Sequence, residues 1–416
     1  MKKFLAVLLA ALLAVSAVAC FKPIDDVDES EKIDEYNDYT MDELYELAKQ
    51  EGGKVLVYST TADANTAIKK FKKAYPDIEI EYVSCDTDTI GEKIQIEHDT
   101  GNITSDVVMV KDASGEIYNN FVLRGLLGIF RPTKISSHID PELSKYGLPL
   151  YATFNPWFYN TAMFPDGVPI DSWWDIVRGY NVDTCSYVNA AGENTQYWSI
   201  YTKDITGPSY ASLWAQIIVD GDKMAAQYEK QYGEPLVYTY MKDLANDAFM
   251  SLPENNGGVE LFYRFTQMKI TELADGDAVV EAVDNSLNGP TLGLTSASKL
   301  DNRDNSGFKI AWVIGLEPYT AFQACSYTYV TEGCDNPAAA RLFVMFSMGG
   351  DDGQSGCYTV YDKRGAWSVR DDVEYLKSEK TAEEVKLCAP DFSKIYETYP
   401  NVKLYWTYWT SKAQKK

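Results

Sequence analysis

Histidine is almost missing from this chain: His98 and His138 are the only two in 416 residues. The commonest general base and metal ligand is therefore confined to two places. No Gly-x-Ser-x-Gly elbow occurs, which removes the usual way a hydrolase raises a serine above a sheet. The seven cysteines include no closely spaced pair of the zinc or redox kind. Positive charge is also short, with 38 Lys and Arg against 61 Asp and Glu for a net charge of −23. Nucleic acid and anionic membrane surfaces are poor partners for such a chain, because phosphate binding needs a basic footprint. Beyond Val15 no apolar run approaches the roughly 20 residues that a helix needs to cross a hydrocarbon core.

What is present starts at the N-terminus. Lys2 and Lys3 precede an apolar run from Phe4 to Val15 and then Ser16-Ala17-Val18-Ala19-Cys20, the pattern of a signal peptide over residues 1–19. The small residues before Cys20 resemble a lipobox, the site at which a bacterial lipoprotein is acylated on cysteine and cleaved. Ala17 stands where that motif prefers leucine, and Ala17-Val18-Ala19 would also serve an ordinary signal peptidase, so free secretion is the alternative. Residues 20–39, with Asp25, Asp26, Asp28, Glu29, Glu31, Asp34 and Glu35, read as an acidic linker too polar to order itself. Export permits disulfides among Cys85, Cys185, Cys325, Cys334, Cys357 and Cys388, with a pair within the last four the first to look for.

The remaining ~380 residues suggest two or three domains. Thr40 and Glu43 form a capping box, Leu44, Leu47 and Ala48 lie at helical spacing, and Gly52-Gly53 stops the helix. Lys54–Tyr58 is a strand leading into Ser59-Thr60-Thr61, followed by a helix through Ala64, Ile68 and Phe71 that Pro76 ends. Strands at Ile78–Val83 and Val107–Val110 and helices at Thr89–His98 and Glu116–Leu127 complete a β-α-β-α rhythm, which implies a mostly parallel sheet with helices on both faces. Ligands of such sheets lie beyond the carboxyl ends of the strands, which points to the loops 59–63 and 111–114. From Pro149 to Asn160 the chain is extended and aromatic, as a crossover would be. Helical signals dominate from Ser172 to Asp284, including Lys223–Tyr232 and Gly258–Met268. Strand signals return at Thr291–Leu294, Phe308–Ile314 and Ser326–Val330, before a helix over Ala338–Met348 and a helical tail from Ala382.

An ordered set of motifs in this chain resembles the extracellular solute-binding proteins of ABC importers, specifically the iron, thiamine and polyamine-like group. The set comprises Glu46-Leu47-Ala48 through Val57-Tyr58-Ser59, then Phe71-Lys72-Lys73-Ala74-Tyr75-Pro76, Ser105-Asp106-Val107-Val108, Tyr159-Asn160-Thr161, Pro169-Ile170-Asp171-Ser172-Trp173-Trp174-Asp175, and Asn336-Pro337 through Phe343 with Gln354. The resemblance implies an α/β protein of two Rossmann-like lobes with mixed sheets joined by hinge strands, the type II periplasmic-binding fold. Lobe 1 would take residues 40–150 and 291–370, lobe 2 residues 161–284, and the hinge 151–160 and 285–290, with C-terminal helices over 371–416. It further implies a monomer without a cofactor or catalytic residues. Such a protein is exported, held at the outer face of the membrane through Cys20, and delivers a small solute to a membrane permease.

Candidate solute contacts are Ser59, Thr60 and Thr61, whose hydroxyls stand where a strand meets a helix, and Lys111 with Asp112, which could equally be a surface pair. Asn155, Trp157 and Tyr159 in the crossover, and Trp312, Glu317, Tyr319 and Tyr327 in the returning segment, complete the set, with core packing the plainer role for the aromatic ones. Iron binders of the family present two adjacent tyrosines and a histidine in the first loop. This chain has no Tyr-Tyr pair and neither histidine falls there, so ferric iron is disfavoured against a thiamine-like cation, a sugar phosphate or a polyamine. A secreted glycan-binding or hydrolytic surface lipoprotein is the competing expectation.

Overall fold

The computed structural model describes residues 34–244 and 253–413. The expected signal peptide, Cys20 and residues 20–33 of the linker lie outside the described residues. The strands run β1 (Lys54–Ser59), β2 (Glu79–Ser84), β3 (Val107–Val110), β4 (Leu127–Gly128), β5 (Leu148–Thr153), β6 (Trp157–Asn160), β7 (Ser199–Thr202), β8 (Ile270–Glu272), β9 (Thr291–Leu294), β10 (Ile310–Val313), β11 (Ala321–Phe322), β12 (Ala324–Thr331), β13 (Ala366–Ser368) and β14 (Leu387–Cys388). They form a seven-stranded sheet in the order β13-β5-β12-β3-β1-β2, with β4 also paired to β12, a five-stranded sheet in the order β10-β6-β9-β7-β8, and a two-stranded parallel pair of β11 with β14. Both larger sheets are mixed: β1 runs parallel to β2 and β3, and β7 parallel to β8 and β9, while β12 and β6 are antiparallel to their neighbours.

Local chemistry explains the elements. The Thr40–Glu43 capping box forms, and the helix Met41–Gln50 buries Leu44 and Ala48. The helix Asp63–Ala74 buries Ala64, Ala67, Ile68 and Phe71 on one stripe and turns its lysines outward. Phe71 meets Phe343 and Phe346 of the helix Pro337–Ser347 edge-on, with ring centroids 5.3 and 5.4 Å apart. All four residues of β3 are buried, as expected of a parallel strand covered on both faces.

The chain passes from the first sheet to the second between Thr153 and Trp157, and returns through residues 314–320 and the separate strand β11 to β12. The expected boundary at Thr291 is therefore displaced, because β9 and β10 flank β6 in the second sheet. Four-residue strands buried on both faces carry no alternation from which their sheet could be read. The first sheet resumes only at β12. Three other expectations change. Residues 34–39 are not linker: Asp34 takes a bidentate ion pair from Arg341, whose guanidinium also covers the Tyr36 ring at 4.5 Å. The helix expected over Glu116–Leu127 contains a π-helical turn at Tyr118–Val122 and stops early. The six described cysteines are all unpaired.

The C-terminal helix Phe392–Ala413 lies mainly on the helices Pro208–Val219 and Gly257–Thr266 of the second lobe, through contacts such as Trp409 against Tyr263. Its first residue packs on the other lobe, where the Phe392 ring stands 5.1 Å from Tyr146 and 5.9 Å from Tyr327. Gly115, at φ +75°, passes so close that a Cβ would meet the Phe392 carbonyl oxygen at 2.7 Å.

The second lobe also buries charge. Arg264 Nε donates to Glu260 at 2.7 Å, the guanidinium lies 5.0 to 5.4 Å from the rings of Trp174, Tyr180 and Tyr228, and Glu260 accepts from the Thr239 and Tyr240 amides. Removing one partner strands the other charge in the interior. Arg264→Ala is expected to lower unfolding stability by about 3–5 kcal/mol, read as a fall in the urea midpoint; an unchanged midpoint would refute this account of the lobe.

Candidate functional site

Parallel pairing of β1 with β3 sets their carboxyl-end loops side by side. The Thr60 amide donates to the Met109 carbonyl at 3.1 Å, and the Lys111 amide donates to Thr60 Oγ1 at 3.2 Å. Ser59 and Thr61 are engaged locally. The Thr61 amide donates to Ser59 Oγ at 3.1 Å, and the Asp63 amide donates to Thr61 Oγ1 at 3.3 Å, which are the side-chain turns these residues favour. The Asp63 carboxylate is held by Lys363, so it does not set the charge of the loop.

Lys111 and Asp112 are not a surface pair. Lys111 makes no ion pair among the described residues, and burial lowers its ammonium pKa to about 8, little offset by the neighbouring Cys325 thiol. That thiol is itself pushed up to about 12 by burial, so it supplies no negative charge at neutral pH. Lys111 nevertheless keeps part of its surface accessible, the combination expected at the bottom of a crevice. Asp112 is 1% exposed. One carboxylate oxygen accepts from the Tyr118 amide at 3.1 Å, the other has no partner, and burial raises the carboxyl pKa to about 6.

Between the two lobes lies a cavity of about 10 Å³, about one water's space. Ala113, Ala321, Phe322 and Ala324 line it on one side, Ser209 and Leu213 of the helix Pro208–Val219 on the other, and Asn155 lies in the crossover between β5 and β6. That helix follows Gly207, has no side-chain cap and carries no acid in its first turn, so its leading N–H groups project an uncompensated partial positive charge. Ser209, Leu213 and Phe322 were not among the sequence candidates. The carboxyl-end rule applied to β7, together with Gly207-Pro208 as a helix start, could have found the first two.

The other candidates part company with the cavity. Trp157 is 1% exposed against Trp173 and Phe265. Trp312 packs on Phe154 and donates from Nε1 to the Ala297 carbonyl at 3.2 Å. Tyr319 is buried, its carbonyl accepting from Trp173 Nε1 at 2.8 Å. Tyr327 is fully buried beside Tyr329 and Phe392. These four are core, because rings at strand positions supply the apolar area two sheets need. Tyr159 is half-buried in β6. Glu317 sits against Ser172 of the second lobe and pairs with Lys386 at 2.5 Å near the surface.

His138, Asp371 and Asp372 form a group whose potential ligand atoms lie within 4.8 Å of one another. Asp371 meets Nδ1 at 2.7 Å while Asp372 faces Nε2 at 3.7 Å and is bound by Arg370. The imidazole cannot turn one nitrogen toward both acids, and none of these residues lines the inter-lobe cavity. Two roomier grooves of about 480 Å³ lie elsewhere, one along residues 266–272 and the end of the C-terminal helix, the other beside His138, and both open to the surface.

A family model described as bacterial extracellular solute-binding protein matches residues 66–387. The chain belongs to this family. No curated protein sequence matches it. Among solved structures, apo ferric ion-binding protein A of Pasteurella haemolytica aligns at 12% identity with a TM-score of 0.58, over 86% of this chain and 98% of that one. The ferric binding protein of Campylobacter jejuni aligns at 14% identity and 0.58, over 85% and 99%. The periplasmic binding protein AfuA of Actinobacillus pleuropneumoniae, with fructose-6-phosphate bound, aligns at 15% identity and 0.53, over 87% and 99%. These likenesses show the two-lobed fold of periplasmic binding proteins. Family and fold are those of exported binding proteins and not of enzymes.

In this solute-binding protein the strain at the site can be measured without a ligand. The folded Asp112 pKa, about 6, lies above the unfolded value near 3.9. The ionised group therefore destabilises the fold, by an amount that grows as pH rises from about 4 to about 6 and is full above that. Asp112→Asn, whose side-chain oxygen can still accept from Tyr118, is expected to raise the melting temperature at pH 7.5 and to give no gain at pH 4. A gain equal at both values would contradict the desolvated carboxylate.

Proposed function

We propose that this chain is the solute-binding component of an ABC importer, tethered through Cys20 to the outer face of the membrane, which captures a small organic solute between its lobes and delivers it to the permease. The observation carrying this reading is the cavity itself: residues of both lobes and of a connecting segment converge on it, and Lys111, two residues before its wall residue Ala113, makes no ion pair among the described residues. A space of about 10 Å³ admits no organic solute. Entry requires the lobes to part about the crossings at 154–156 and 314–320, and closure over the solute supplies the state a permease recognises.

Among the solute classes considered, ferric iron is the least supported. Tyr327 and Tyr329, the chain's nearest approach to the paired tyrosines of iron binders, are buried in the first sheet. A neighbour of the same fold holds fructose-6-phosphate, which favours a sugar phosphate over a thiamine-like cation or a polyamine.

A thermal-shift panel of sugar phosphates, thiamine derivatives, polyamines and ferric citrate tests the reading, paired with small-angle scattering. The cognate class should stabilise the protein by about 2.7 kcal/mol at a concentration 100 times its Kd and reduce the radius of gyration. A ligand that raises the melting temperature without compacting the molecule would contradict capture by closure.

A further inference from the structure

We propose that Lys111 is the charge anchor for an anionic solute, one bearing a phosphate or carboxylate group, seated between the Thr60–Lys111 corner of the first lobe and the first turn of the helix Pro208–Val219. The proposal rests on the solute-binding reading and adds the chemistry of the solute.

Three independent observations converge on it. The first is the missing counter-ion. In a chain with 61 acidic residues, an ammonium partly withdrawn from water and left without a carboxylate among the described residues works against folding, since a desolvated charge is ordinarily paired. An apolar side chain of similar length would be more stable there. Stability given up at one position is the mark of a functional site. Asp112, next along the chain, does not supply the charge, because it turns to the Tyr118 amide.

The second observation is position. Lys111 immediately follows β3, its amide is fixed to Thr60 at the end of β1, and Ala113 two residues on is already a wall of the inter-lobe cavity. The third is the opposite wall. Ser209 brings to the cavity the first turn of a 12-residue helix with no side-chain cap and no acid in that turn. One source of positive potential thus stands at the cavity wall on the second lobe and another two residues before the wall residue Ala113 on the first, and an anion between them would attract both as the lobes close. A polyamine or a thiamine-like cation would meet like charge on each side.

The test uses the full chain and four probes: fructose-6-phosphate and citrate as phosphate and carboxylate anions, fructose as the neutral control and spermidine as the cation. Wild type is expected to be stabilised by at least one anion and by neither control, with the phosphate and carboxylate arms separating the two sources of charge. Lys111→Met should melt at or above the wild-type temperature without ligand and yet bind that anion about 100-fold more weakly. Lys111→Arg should stay within about tenfold. Should Lys111→Met not fold, Ser209→Asp adds an acid to the opposite wall at a position where a helix start favours one; it should keep the fold and lose the anion. Undiminished anion binding by Lys111→Met or by Ser209→Asp overturns the anchor. So does a wild type that responds only to fructose or spermidine, which would leave the solute-binding reading standing. Silence from all four probes, together with no compaction by any member of the wider panel, overturns both.

Discussion

All eight residues of β12 are buried, and they pair with β3 on one side and β5 on the other. The chain must therefore return to the first sheet after building the second, and two connections between the lobes follow from that single insertion. Because β12 runs antiparallel to β3, it enters the sheet at the edge where β1 and β3 end and where the cavity lies. Tyr327 of β12, tilted against Tyr329, also receives Phe392 from the helix that covers the second lobe. Movement of the lobes thus has to turn about segments that β12 holds in register on the first-lobe side.

Within this frame the buried and partly buried cations differ in how they are compensated. Arg264, Arg341 and Arg370 each lie in the interior against a carboxylate, respectively Glu260, Asp34 and Asp372. Arg341 fastens the segment at Asp34 to a helix, Glu260 and Arg264 pair within one helix, and Arg370 and Asp372 pair within the segment after β13. Lys111, by contrast, makes no ion pair among the described residues, and it stands two residues before Ala113, a wall of the inter-lobe cavity. Desolvation without compensation is a poor way to stabilise a fold and an effective way to prepare a positive potential for a charge brought from outside.

Much of the first sheet was legible in the sequence. The capping box at Thr40, the buried run of β1, the amphipathic stripe from Ala64 to Phe71 and the Asn336-Pro337 helix start are local signals, and each appears in the fold at its expected place. The sheet membership of β9 and β10 was not, because pairing partners are chosen by long-range register that short buried strands do not encode. The candidate residues divided along the same line. The turn of Ser59 and Thr61 is local chemistry, whereas the roles of Trp157, Trp312, Tyr319 and Tyr327 depend on which surfaces meet. Core packing was the plainer role for the aromatic candidates, and much of the aromatic content does fill the apolar interfaces between sheets and helices. Ala324 carries no chemical flag in the sequence and Ser209 only that of a helix start, and the meeting of two lobes brings them to a common space.

The most direct measurement is the titration of the Lys111 side chain by NMR of lysine labelled at Cε, assigned with Lys111→Arg, in the free protein and in the protein saturated with its solute. The account predicts a free-state pKa near 8 that rises above 10 when an anion is bound, since a negative charge in a desolvated site favours the ammonium. An ordinary lysine value near 10.4 in the free protein, unmoved by the solute, would contradict it.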